Sequence, residues 1–341
     1  AWAGLDKEQI YFELVKQDIQ MTADLFRQVY EVTNYVDGYV SVEIDPMLAN
    51  DTEKSISEGK MLWARINRKN LMIKVPATKA GIPVIRALIA EGINVNATLI
   101  FSIEQYLDVM NAYLSGLEDR VQQGLPIERI HSVASFFVSR IDTAVDKLIK
   151  EKINSGLVEL ELLQGKIAVD NARMAYQEFK KFFNCERFEK LAQKGAQIQR
   201  PLWASTGTKN PQYSDCLYVD ELIGSNTVNT IPTKTLHAFL DHGCPDIKID
   251  YAIEESMKRL ATLDDAGIDL NKVTNQLEDD GVLSFQKAHQ SLLATIESKR
   301  SQYANEIGSL GEKLQLAMKT ATEQNYLQRL FDNDPSLWTN V

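Results

Sequence analysis

The chain has 341 residues, 44% of them hydrophobic, and a net charge of −10 with acidic and basic residues interleaved. That length holds two average domains or one large α/β barrel with additions, and a chain of this size buries roughly three quarters of the surface it exposes when unfolded. The negative balance argues against duplex DNA or an anionic membrane as partner, no apolar run reaches the ~18 residues of a membrane span, and the opening residues predict no signal peptide.

Three cysteines (Cys185, Cys216, Cys244) lie far apart without a CxxC, which predicts a reduced, cytoplasmic setting. Four histidines show no HExxH or other ligand spacing, so no histidine metal site is predicted.

In chain order, an amphipathic helix is predicted over about residues 7 to 31, with Ile10, Leu14, Met21, Leu25 and Val29 as its stripe. "DGYVSVEIDP" is a turn and a strand, followed by a helix over roughly 50 to 68. "NLMIKVPAT" is a second strand, and the helix from about Ile82 to Ala90 stops at Gly92, a left-handed C-cap. "NVNATLIFS" is a third strand with a helix near 103 to 124, and "HSVASFFVS" a fourth, trailed by helical sequence to about 196. "QRPLWAS" and "TVNTIP" are the fifth and sixth. The rest is helical: Ala252, Met257, Leu260 and Leu263 share a stripe, Gly267 and Gly281 act as stops, and "LSFQKAHQSLLATIESKR" is a further amphipathic helix.

Strands alternating with helices to about residue 240 predict right-handed βαβ units and a parallel sheet. A dinucleotide-binding open sheet calls for GxGxxG after its first strand. None is present, which favours a (β/α)8 barrel lacking two strands.

In a barrel, alternate side chains face the lumen, and chemistry sits at the C-terminal strand ends. The alternation puts Lys74 with Met72, Glu43 with Ser41, Asn94 with Asn96 and Thr98, Ser135 with Phe137, Ser205 with Trp203, and Asn229 with Thr227. Val42, Ile73, Val75, Leu99 and Val228 are expected to point outward. Each strand thus offers a polar residue where a packed core prefers Val, Ile or Leu. The central question is Lys74, an ammonium in an apolar strand. Desolvation disfavours its charge, and the neutral amine attacks carbonyls to give a Schiff base. A plain ion pair with Glu43 is the alternative, compatible with Glu43 moving protons at a water or carbinol oxygen. Arg140 beyond the fourth strand, and Ser205, Thr206, Gly207, Thr208 and Lys209 after the fifth, are candidates to hold a small anion such as phosphate.

These stretches, with "GIPVIRALIAEGINVNATLIFS", "SVASFFVSRIDT" and "WASTGTKNP", resemble the transaldolases of the longer bacterial type, class I aldolase barrels, over most of residues 8 to 300. The resemblance implies Lys74 as the Schiff-base lysine and Glu43 as the glutamate handling the catalytic water, with Thr98 beside it. It implies Asn96 and Ser135 orienting a dihydroxyacetone unit, Phe137 as a pocket wall, and Arg140, Ser205 and Lys209 as a phosphate clamp. The implied reaction moves dihydroxyacetone from sedoheptulose 7-phosphate to glyceraldehyde 3-phosphate, giving erythrose 4-phosphate and fructose 6-phosphate, without metal or organic cofactor. A fructose 6-phosphate aldolase is the near alternative.

The family's first two strands, bearing an aspartate in a "WLD"-like stretch and an asparagine in "TSNP", have no counterpart here. The chain is therefore expected to be a barrel of six βα units over residues 1–300, cut at its start, with a helical extension or linker over 301–341. Loss of a positioned acid/base costs about 100- to 10,000-fold, so little turnover is expected, and a catalytically silent interaction or linker fragment is the rival reading. "RLFDNDPSLWT" resembles the approach to a glucose-6-phosphate isomerase in fused proteins, which makes a fused or adjacent isomerase a candidate partner.

Overall fold

The computed structural model describes residues 4–307, 310–332, 334 and 336. One sheet holds six strands in chain order: β1 (Val40–Glu43), β2 (Leu71–Pro76), β3 (Val95–Ile100), β4 (Ser132–Phe137), β5 (Arg200–Ala204) and β6 (Val228–Asn229). Every neighbouring pair is parallel. Helix α1 (Lys7–Val32) precedes β1. Then α2 (Thr52–Ile66), α3 (Gly81–Ala90) and α4 (Ile103–Gln122) join successive strands up to β4. Between β4 and β5 run α5 (Ser139–Asn154), α6 (Ile167–Phe182) and α7 (Glu186–Ala192), and α8 (Leu217–Glu221) leads to β6. Beyond the sheet come α9 (Thr233–His242), α10 (Ile253–Asp265), α11 (Leu270–Ile307), α12 (Leu310–Glu323) and α13 (Tyr326–Phe331).

The strand faces turned to the helices are apolar, which forces this layering. Ile73, Val75, Val95, Ala97, Phe136 and Trp203 are buried, as are Leu62, Ile66, Val84, Leu88, Tyr106 and Met110 on the helices. Phe136 meets Tyr106 and Trp203 edge-on at 6.0 and 6.1 Å. Each large side chain so buried contributes roughly 1.5–3 kcal/mol relative to exposure. Helix starts are fixed locally: Asp51 accepts from Lys54 N at 3.1 Å and Ser102 from Gln105 N at 3.1 Å. Gly92 follows α3 with φ +82°, as its position in the sequence predicts.

The sheet curls. Arg200 at the start of β5 donates to the Val36 carbonyl at 2.6 Å and to Asp37 at 2.9 Å, just before β1. Tyr39 meets His131 with ring centroids 5.4 Å apart. The outcome is a half-barrel of parallel strands in which, among the described residues, β1 and β6 are each paired on one side.

Several expectations need correction. Met21, Leu25 and Val29 of the predicted α1 stripe are exposed, Leu25 at 80%, and the buried residues of α1 are Ala23 and Tyr30. Gly281 does not stop a helix, since α11 runs through it. Its missing side chain is what matters: a Cβ there would lie 3.1 Å from Leu99 Cδ2. Met257 is exposed, whereas Ser256 and Leu263 are buried, because Ser256 and Arg259 both bond Asp170 of α6 at 2.6 Å and set which face of α10 turns inward.

The chain divides into two compact units, Ile19–Gln286 and a second made of Ala1–Asp18 with Lys287–Val341. In the second, Tyr11 packs edge-on to His289 at 5.1 Å. Met318, Leu330 and Phe331 there are exposed. The stretch "RLFDNDPSLWT" lies in part outside the described residues, at 333, 335 and 337–339. Among the described residues, no helix is long and apolar enough to cross a membrane.

Candidate active site

A cavity of 630 Å³ runs along the inner face of the sheet. Strand alternation supplies its walls: Ser41 from β1, Met72 and Lys74 from β2, Asn96 and Thr98 from β3, Ser135 and Phe137 from β4. Lys74 sits in register between Glu43 and Asn96. Its Nζ lies 3.1 Å from Glu43 Oε2, with side chains 23% and 20% exposed. The ion pair expected as the bland alternative is therefore present, and it stands at the cavity wall. Phe285 of α11 packs against the amine, its ring centroid 5.3 Å from Nζ. Nothing in the sequence pointed to Phe285, because its contact with β2 spans more than two hundred residues.

Burial pushes the Glu43 carboxyl above the ordinary carboxylate range, against the opposing pull of Lys74. Glu43 Oε1 and Thr98 Oγ1 are both buried without a hydrogen-bond partner among the described residues. An unmet buried polar atom costs about 1–3 kcal/mol, which a stability-driven core avoids and a binding site carries.

Beside the amine runs a polar chain. Ser135 Oγ donates to Asn96 Oδ1 at 2.7 Å, and Asn96 Nδ2 donates to Ser41 Oγ at 3.1 Å. The carboxamide is thereby fixed at both ends on the cavity wall. Asn94, on the same strand, is a latch instead: it donates to the Lys69 and Leu71 carbonyls and accepts from His131 N at 2.9 Å.

The β5 reading inverts in part. Leu202 and Ala204 line the cavity, while Trp203 turns outward and donates to the Leu222 carbonyl at 3.0 Å. Ser205 reaches the cavity because its φ of +56° breaks the alternation. It contacts Ser139 at the start of α5, Oγ to Oγ 2.9 Å. Val228, expected to point outward, also lines the cavity from the two-residue β6. Leu99 is buried as expected, at φ +60° where the β3–β4 register shifts.

Arg140 places its guanidinium 5.5 Å from the ring centroid of Phe137, beside the cavity wall. Lys209 is not brought to the lumen: it lines a separate surface cleft with Thr143, Lys147 and Lys150.

A lysine and a carboxylate at the polar inner wall of a curled parallel sheet is the arrangement of an aldolase-type α/β barrel. A family model described as Transaldolase/Fructose-6-phosphate aldolase matches residues 2–296. The chain belongs to that family. It is similar to a transaldolase of Mycolicibacterium smegmatis, 50% identical over 85% of this chain and 78% of the relative. It is likewise similar to a transaldolase of Saccharopolyspora erythraea, 48% identical over 88% and 80%, and to transaldolase 2 of a Nostoc species, 44% identical over 87% and 80%.

Proposed function

We propose that the chain catalyses the transaldolase reaction, moving dihydroxyacetone from a ketose phosphate to an aldose phosphate through an imine at Lys74. The observation that carries this is the Lys74–Glu43 contact of 3.1 Å at the wall of a polar cavity, beside Phe285. The neutral amine attacks the ketone carbon. Glu43 delivers a proton to the carbinolamine oxygen, and water leaves as the imine forms. The β-hydroxyl gives up its proton to the acid/base group, the bond between the α and β carbons breaks as its electron pair passes to the protonated imine, and an enamine and a free aldehyde result. The enamine adds to the second aldehyde, and water, activated by Glu43 with Thr98 beside it, returns the amine. Asn96 and Ser135 hold the hydroxyls of the three-carbon unit. Phe137 walls the pocket, and Arg140 and Ser205 take the phosphate; Lys209, in a separate surface cleft, has no part in this scheme. No metal or organic cofactor takes part in this scheme. Sedoheptulose 7-phosphate and glyceraldehyde 3-phosphate are the substrates of this reading, and the three unpaired cysteines suit a reducing cytoplasm.

Borohydride trapping with fructose 6-phosphate tests the scheme: a mass adduct is expected on Lys74, and a folded sample without one ends it. A coupled assay then separates transferase from aldolase. Glyceraldehyde 3-phosphate released only when erythrose 4-phosphate is present identifies a transferase, and release without it identifies a fructose 6-phosphate aldolase.

Two further staves complete the cylinder in this reading and supply the acid/base for C–C cleavage. The one-sided β1 and β6, and the exposed Leu25 and Val32 of α1 and Leu240 of α9, support it. The 341-residue chain alone is then expected to turn over about 100- to 10,000-fold more slowly than a form carrying both staves. Equal rates for the two forms refute the idea.

A further inference from the structure

Away from the lumen, the residues just before α8 and the last residue of α9 bring three unlike ligand groups together. His242 Nε2 lies 2.9 Å from Asp215 Oδ1 and 3.9 Å from Cys216 Sγ. All three ligand atoms fall within 4.8 Å of one another. On the far side of the ring, Asp241 Oδ2 stands 3.1 Å from Nδ1. We propose that Asp215, Cys216 and His242 form a binding site for one thiophilic divalent cation, Zn²⁺ foremost, separate from the imine chemistry.

The distances fit. With Zn–S of ~2.3 Å and Zn–N or Zn–O of ~2.0–2.1 Å, ligand atoms around a tetrahedral ion stand ~3.3–3.6 Å apart. The observed 2.9 and 3.9 Å from His242 lie within about half an ångström of that range, and the separation of Asp215 from Cys216 stays within 4.8 Å. The ligand set is one that Zn²⁺ prefers over Mg²⁺ or Ca²⁺, which favour oxygen alone. Asp241 supplies the outer support such sites use: accepting from Nδ1–H, it turns Nε2 toward the ion.

A bare surface ion pair is the competing explanation. It accounts for His242 and its aspartates, which raise the imidazole above its ordinary range, Asp215 foremost. It does not account for a fully buried thiol aimed at the same nitrogen. The carboxylates of Asp215 and Asp241 on either side of the ring make the surroundings negative, which attracts a dication. The cluster is buried on its cysteine side and open on the other, with His242 51% and Asp215 55% exposed. An ion therefore has a way in, and its fourth position faces water. On binding, the thiol proton and any proton on Nε2 pass to bulk water. One thiolate and one carboxylate then neutralise the dication. The ligands come from segments 26 residues apart in sequence, which is why no spacing motif announces them. The ion would tie the loop after β5 to the helix after β6, at the open edge of the sheet.

The test titrates the full chain with Zn²⁺ against a chromophoric chelator, and separately with Co²⁺ as a spectroscopic probe. One tight equivalent per chain and a near-ultraviolet thiolate-to-cobalt band are expected. Cys216→Ser should abolish the band and weaken Zn²⁺ binding at least ~10-fold, whereas Asp241→Asn should keep the band and weaken binding roughly 10- to 100-fold. Cys244→Ser should change neither, since that thiol turns to Asp246 at 3.2 Å. If Cys216→Ser fails to fold, the exposed His242→Gln carries the same affinity test. A wild-type cobalt complex without the band, or unchanged Zn²⁺ affinity in the foldable one of these two variants, overturns the site.

Discussion

Lys74→Met is expected to abolish the borohydride-trapped adduct with fructose 6-phosphate and to lower turnover by on the order of 10⁶-fold, the scale on which removal of a covalent nucleophile acts. Methionine keeps the length and apolar stem of lysine, so β2 and the Phe285 contact should survive. Losing the pair leaves the mostly buried Glu43 carboxyl without its counter-ion, a cost of up to about 3–5 kcal/mol that protonation of the carboxyl reduces, so the fold of the variant is checked alongside its chemistry. Intact folding with full loss of the adduct separates a chemical role from a structural one. A trapped adduct at undiminished yield in the methionine variant would place the nucleophile elsewhere.

How far the sequence reveals this site depends on which physical rule sets each residue's direction. Period-two alternation along β2, β3 and β4 correctly turns Met72, Lys74, Asn96, Thr98, Ser135 and Phe137 to one face, and all six line the cavity. The same rule fails on β5. There Trp203 goes outward to the Leu222 carbonyl, and Ser205 swings inward through a left-handed φ that no periodicity encodes. Helices after β6 were legible as helices but not in their role. Gly281 looks like a stop locally, yet it is a thin point where α11 crosses close to Leu99, and Phe285 one turn later packs against the lysine. Both facts are set by contacts across the whole chain. The α1 stripe shows the opposite limit. Its amphipathic pattern is plain in the sequence, but a pattern names a face to be covered and not what covers it.

Glu43→Gln is the second large effect, an expected loss of about 100- to 10,000-fold in kcat/KM, as for removal of a general acid/base. Glutamine keeps the shape and can still hydrogen-bond Lys74, but it neither accepts nor delivers a proton at the carbinolamine oxygen. The pH profile is the discriminating readout. Burial raises the Glu43 carboxyl, so this group holds its proton to higher pH than an ordinary glutamate. Water activation requires the carboxylate. Activity should therefore fall as pH drops through a limb lying above the usual carboxylate range, and that limb should vanish in Glu43→Gln. Sugar phosphates carry their own second ionisation near pH ~6, so the comparison is cleanest with an unphosphorylated ketose and aldehyde. A residue that merely filled space beside Lys74 would give a different result: Glu43→Gln would then keep both the rate and the acidic limb of the wild type.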